Sequence, residues 1–167
     1  MQTVKSKTIT PLKEAPMITI PNVPPNVTHV QNVSTFAGYY NSEAMRQAET
    51  VVACLVLEAG GEGKIGMEAV NEVIHNRAHK LNKSLYDVVT ARKQFSCFNN
   101  GIASAVAKAK KHPMWKTAIE ILQAPVTNHT HGATQYHTTH IHPYWEQDFL
   151  DKGYKTVVIK HHKFYYR

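Results

Sequence analysis

The sequence predicts an α+β chain that is mostly helical, with a small β-containing C-terminal part. Three observations carry this. Apolar residues recur at helical spacing from Ser42 to about Ala124, and the recurrence stops over the last forty residues. There, β-branched residues gather instead, as in YKTVVIK from Tyr154 to Lys160. A chain of 167 residues, 43% hydrophobic and 19% charged, supports one domain with a real core, far from the disordered and membrane extremes.

Residues 1–38 hold five of the eight prolines and no helical period. They read as an extended, partly polyproline-II arm, either an attachment segment for a virion or other protein partner or a leader without function. The folded domain is expected over residues 39–167. Ser42 is placed to cap a helix whose apolar positions include Ala44, Met45, Ala48, Val52, Leu55 and Val56, and Gly60 and Gly61 close it. A second helix follows from about Ile65 to Lys80. Its apolar stripe is Met67, Val70, Val73, Ile74 and Ala78, with Asn71, Glu72, Asn76 and Arg77 expected mostly on the other face. Ser84 caps a short helix to about Ala91, and Asn99-Asn100-Gly101 turns into an alanine-rich helix ending near Lys111. Pro113 suits the first turn of a helix to about Ala124. His131 to His140 and Tyr154 to Lys160 read as strands or extended loops.

Nineteen basic residues against twelve acidic ones give a net charge of +7. That favours polyanionic partners: nucleic acid, anionic headgroups or a bacterial wall. No nucleic-acid partner is expected, because Lys108, Lys110 and Lys111 cluster without a reading motif. No stable membrane insertion is expected either, since no apolar window reaches the length of a span. The lysines of Met1 to Thr10 are followed by no apolar run, so no secretory signal is recognised and delivery is expected from elsewhere. Cys54 and Cys97 are expected to be free thiols.

The stretch LVLEAGGEG, Leu55 to Gly63, sets Glu58 against an apolar run and before two glycines, with Glu62 following. Burial and the negative end of a helix would both raise the pKa of Glu58, as a general acid requires. The plain alternative is that Glu58 ends the helix in solvent or pairs with an arginine.

Several motifs then follow in order: EAGGEG, NEVIHNRAH, SLYDVV, KQFSCFNNG, GATQYHTTHIHPYW and KHHKFYYR. Together, from about Glu43 to Arg167, they resemble the spore cortex-lytic and related bacterial and phage cell-wall hydrolases. The resemblance implies a lysozyme-like domain that cleaves the glycan strand of peptidoglycan, with Glu58 at the family's catalytic glutamate. Members are described as lytic transglycosylases: the acid protonates the glycosidic oxygen, then activates the C6 hydroxyl of N-acetylmuramic acid, which closes onto C1. Ordinary glycosidases need two flanking carboxylates, and apart from Glu62 no other acid has a comparable setting. One position departs from the pattern: the family's arginine is Gly60 here, so Arg77, Gln94 or Lys64 would have to replace it.

Gln94, Phe95 and Ser96 offer an amide, an aromatic face and a hydroxyl for gripping a sugar, although Phe95 serves equally as packing. Tyr136, Tyr144 and Trp145 could stack on hexose faces, or Trp145 could plug the core. His137 and His162 match family positions near the cleft. The expected substrate-binding set is therefore Glu62, Gln94, Phe95, Ser96, Tyr136, His137 and His162.

Seven of the eleven histidines lie in the last 39 residues. His131, His137 and His140 raise a zinc amidase as a rival, but no H-E-x-x-H accompanies them, and neither metal nor cofactor is expected. The expected function is glycan cleavage by a phage endolysin or virion-associated lysin. Muramidase hydrolysis, zinc-dependent amide cleavage and a non-catalytic wall-binding virion protein are the alternatives.

Overall fold

Seven consecutive residues, Thr50 to Val56, are buried in helix α1 (Glu43–Ala59). A helix apolar on every side belongs at the centre of a domain, and α1 packs against four others. These are α2 (Gly63–Leu81), α3 (Leu85–Thr90), α4 (Ile102–Ala109) and α5 (Trp115–Gln123). The computed structural model describes residues 43–167. The proline-rich arm and the Ser42 cap lie outside the described residues.

Each helix end follows from local chemistry. A single 3-10 turn, Gly60–Glu62, separates α1 from α2. Asn82 takes the left-handed conformation at φ 51° and its N–H returns to the carbonyls of Ala78 and His79, ending α2. Ser84 caps α3 by accepting from the Asp87 N–H at 3.0 Å. Pro113 lies in the turn before α5 rather than in its first turn.

The C-terminal part is a three-stranded antiparallel sheet in the order β1–β3–β2, with β1 Gln135–Thr138, β2 Lys155–Ile159 and β3 His162–Tyr166. Register pairs Tyr136 with Phe164 and Thr138 with His162, so these four share a face. Phe164 and Ile159 pack on Ala69 and Val73 of α2, which joins the sheet to the helices. His137 and Tyr165 point to the other face, where Trp145 and Phe149 cover them. Phe149 belongs to a short helix, α6 (Glu146–Asp151).

Two elements were not anticipated from the sequence, and one expectation is corrected. Strand β3 follows the expected strands, but its burial on both sides hides the period-two alternation. Helix α6 has six residues, too few to show a helical period, and packing of Trp145 and Phe149 on Tyr165 accompanies it. The polar side of α2 is not a wet face: Asn71, Glu72 and Arg77 are all buried.

Candidate active site

Glu58 lies on the last turn of α1, half-buried, at the edge of a cleft of about 280 Å³. The sheet contributes Thr138 and His162 to this cleft, and the 3-10 turn Ser96–Phe98 contributes Ser96 and Cys97. Asn100, Ser104 and Lys108 come from α4 and the turn that leads into it. Glu58 is the only carboxylate among the described residues that line the space.

One hydroxyl addresses that carboxylate. Tyr136 donates to Glu58 Oε2 at 3.3 Å. Burial pushes the Tyr136 phenol well above its ordinary pKa, and the nearby charge of Glu58 adds to the rise, so the hydroxyl keeps its proton and remains a donor. The Tyr136 ring stacks on Phe164 at 5.3 Å and meets the His162 ring edge-on at 5.0 Å.

Behind the His162 ring lies the second acid of the motif. His162 Nδ1 donates to Glu62 Oε2 at 2.9 Å, and both side chains are nearly enclosed. A histidine held this way has its tautomer and ring orientation fixed by the carboxylate. Gly66 makes room for this arrangement. A Cβ there would meet Glu62 Cβ at 2.5 Å and Glu62 Oε2 at 3.0 Å, so no side chain fits unless Glu62 moves. Glu62, His162, Tyr136 and Glu58 thus form one connected chain of contacts across the base of the sheet.

The buried polar side of α2 holds the segment that leads to Tyr136. Glu72 accepts four hydrogen bonds, from Thr127 Oγ1, His129 N, Thr130 N and Thr130 Oγ1, at 2.6 to 2.8 Å. Burial acts to raise this carboxyl, but the hydrogen bonds together outweigh it and hold the group below the usual carboxylate range. Asn76 donates to the Ala133 carbonyl at 2.9 Å, and Arg77 Nε to that of Thr134 at 2.7 Å. Arg77 also reaches Gln94 and Gln135 and stands over the Phe95 ring at 5.5 Å. Its burial lowers its pKa, while Tyr136, Cys54 and Glu58 act in the opposite direction, which places the guanidinium within electrostatic reach of the cleft acid.

A family model described as Cell Wall Hydrolase matches residues 61–165, more than half of the chain. The chain belongs to the cell wall hydrolase family. Its substrate is therefore peptidoglycan, and its fold is the mostly helical α+β one described above. The match begins just after Glu58 and includes Glu62, Tyr136 and His162. No curated protein and no solved structure matches the chain.

In this hydrolase the expected site residues separate into three groups. Glu58, Ser96 and His162 line the cleft, with Tyr136 and Glu62 supporting Glu58 and His162 from behind. Gln94 is exposed and its carbonyl accepts from Arg77 at 3.3 Å, outside the cleft lining. Two expectations are corrected. Phe95 is 4% exposed and packs in the main core beneath Arg77, so it offers no face to a sugar. His137 lies on the sheet face opposite Tyr136, with Nδ1 donating to the Thr138 carbonyl and Nε2 2.8 Å from the Tyr165 hydroxyl. The one-residue offset from Tyr136 decides this, because neighbouring strand residues face opposite ways.

Other candidates are also placed. Tyr144 is 98% exposed, whereas Trp145 packs on the outer face of the sheet. Glu146 lies beside it and accepts from Lys163, Tyr165 and His142, which hold its carboxyl far below the usual range. Among the described residues no three His, Cys, Asp or Glu side chains gather as metal ligands, and His131 packs instead against the Tyr166 ring at 4.9 Å. Both cysteines are free. Among the described residues no helix is long and apolar enough to cross a membrane. Asn100, Ser104 and Lys108 were not singled out from sequence as site residues; their spacing of four is the signal that could have found them.

Proposed function

We propose that this cell wall hydrolase cleaves the glycan strand between N-acetylmuramic acid and N-acetylglucosamine as a lytic transglycosylase, with Glu58 as its single acid/base. The observation that carries the reading is that Glu58 alone among the cleft-lining residues offers a carboxyl group. Glu62, the other acid of the motif, is engaged by His162.

In the reaction, Glu58 gives its proton to the glycosidic oxygen as the C1–O bond breaks. Electron deficiency develops at C1 of the muramyl ring. The Glu58 carboxylate then takes the proton from the C6 hydroxyl of the same ring, and that oxygen bonds to C1. The products are a 1,6-anhydromuramyl end and a free C4 hydroxyl on the leaving sugar. No water is consumed, and Glu58 finishes protonated as it began. Tyr136 donates to the carboxylate between the two transfers, which fixes the orientation of Glu58. The reading extends to delivery as a phage endolysin or virion-associated lysin. The basic excess suits an anionic wall, and the proline-rich first 38 residues suit attachment to a partner.

Glu58→Gln, nearly isosteric, tests the assignment. Release of soluble fragments from purified sacculi should fall at least a thousandfold (about 4 kcal/mol of barrier), with the circular dichroism spectrum unchanged. Mass analysis of the wild-type products should give anhydro ends; reducing ends would replace the transglycosylase by a muramidase. Full activity of the variant would remove Glu58 from the mechanism.

A further inference from the structure

The cleft has a cationic end that the cleavage chemistry does not use. Asn100, Ser104 and Lys108 follow one another at intervals of four, so Ser104 and Lys108 lie one turn apart, about 6 Å, on a single face of α4. All three line the same space as Glu58. Lys108 is exposed, and among the described residues no carboxylate lies within salt-bridge distance of its ammonium. Lys110, two residues on, is paired with Glu49. An amide and a hydroxyl followed by an uncommitted ammonium form a graded surface: hydrogen bonding for a sugar, then charge for an anion.

Peptidoglycan carries such a pattern. Its muramyl ring bears a lactyl ether that ends either in a free carboxylate or in a peptide stem with carboxylates of its own. We propose that Lys108, at the end of the Asn100–Ser104 stripe, binds a carboxylate on the lactyl side of the muramyl residue and so selects anionic peptidoglycan. The inference rests on peptidoglycan occupying the Glu58 cleft, but it does not depend on which glycosidic product is formed.

Co-sedimentation with sacculi tests it in a Glu58→Gln background, where no cleavage disturbs the measurement. Adding Lys108→Gln should weaken binding to native sacculi about fivefold, the upper range for one solvent-exposed ion pair. It should have no further effect on sacculi whose carboxylates have been converted to neutral carboxamides. Lys108→Arg should restore binding to native sacculi. Lys116→Gln, which removes the same charge from an exposed position of α5 outside the cleft lining, measures the non-specific effect of net charge. Strands stripped of stems by an amidase identify the source. Because that cut frees a lactyl carboxylate on each stripped ring, a retained Lys108 effect shows that the lactyl carboxylate suffices, and a lost effect assigns the stem. The proposal is overturned if Lys108→Gln and Lys116→Gln weaken binding equally, if the Lys108 effect persists on the carboxamide form, or if Lys108→Gln binds native sacculi normally. Failure of the catalytic reading would appear separately, as wild-type protein that binds sacculi but releases no fragments.

Discussion

Glu72 anchors the segment that leads to Tyr136, and its replacement by glutamine has a calculable cost. The change keeps the volume and turns one carboxylate oxygen into an NH2 group. One oxygen of Glu72 serves Thr127 Oγ1 and His129 N, and the other serves Thr130 N and Thr130 Oγ1. A threonine hydroxyl can rotate to accept from the new amide, but a backbone N–H cannot. Whichever way the amide lies, one backbone N–H is left facing another donor in a setting where Glu72 is 2% exposed. An orphaned donor costs about 1–3 kcal/mol, and two surviving bonds each lose about 1 kcal/mol on changing from charged to neutral. The sum is about 4 kcal/mol, or roughly 10 °C in Tm for a domain of this size.

The pH dependence adds a second, independent check. The Glu72 carboxyl is held below its usual range in the folded protein, against about 4.3 in an unfolded chain. A depressed folded value contributes stability that is complete above the unfolded value and lost as pH falls through the folded one. Thermal melts of wild type and Glu72→Gln should therefore differ by about 10 °C at pH 7 and converge on acidification below pH ~4. Glu146 titrates with the same sign but is present in both proteins, so it cancels in the difference. A gap under about 3 °C at neutral pH, or one that stays constant down to pH 3, would refute the account of Glu72 as a charged hub.

Two further outcomes follow from the site. Gly66→Ala places a methyl group within 2.5 Å of Glu62 Cβ. It should cost about 1–3 kcal/mol in denaturant unfolding and, by displacing Glu62, shift the ring resonances of His162; an unperturbed His162 spectrum would contradict the packing argument. Tyr136→Phe keeps the stack on Phe164 and removes only the donor to Glu58. Fragment release should fall about ten- to a hundredfold in kcat with KM little changed, and an unchanged kcat would show that the hydroxyl takes no part.

The helices were legible because their apolar stripes repeat at 3.6 residues and their ends carry local signals such as Ser84 and the glycines after Ala59. The position of Glu58 drew notice for a related reason: an acid that interrupts an apolar run is conspicuous, and the structure places it at the edge of the cleft. What sequence could not reveal is which face of an element a distant segment will cover. Glu72, Asn76 and Arg77 have the composition of a wet face, yet the 127–135 segment, more than fifty residues away in the chain, covers them, burying Glu72 and Arg77 and half-burying Asn76. Phe95 and His137 failed in the same way, since residue type fixed what each could do and tertiary packing fixed where it points. The α4 residues of the cleft were overlooked because polar side chains every fourth residue look like an ordinary solvated stripe until a second wall faces them.

The glycine at position 60 sits against a close neighbour. The resemblance read from the sequence motifs implies an arginine at this point, between the two glutamates, whereas the family match begins at residue 61. Here a Cβ at Gly60 would meet the His112 ring, with Cε1 at 3.0 Å and Nδ1 at 3.3 Å, and His112 is held in place by accepting from the Met114 N–H. A side chain at position 60 would therefore require that ring to shift by a few tenths of an ångström. A positive charge within electrostatic reach of Glu58 is that of Arg77. Its Nε is tethered to the Thr134 carbonyl, and the charge of Glu58 reaches its guanidinium. In the proposed reaction a cation held there would favour the Glu58 carboxylate formed after proton transfer. Among the described residues that line the cleft, Lys108 is the one lysine or arginine, and the proposed anion of the glycan would meet it there.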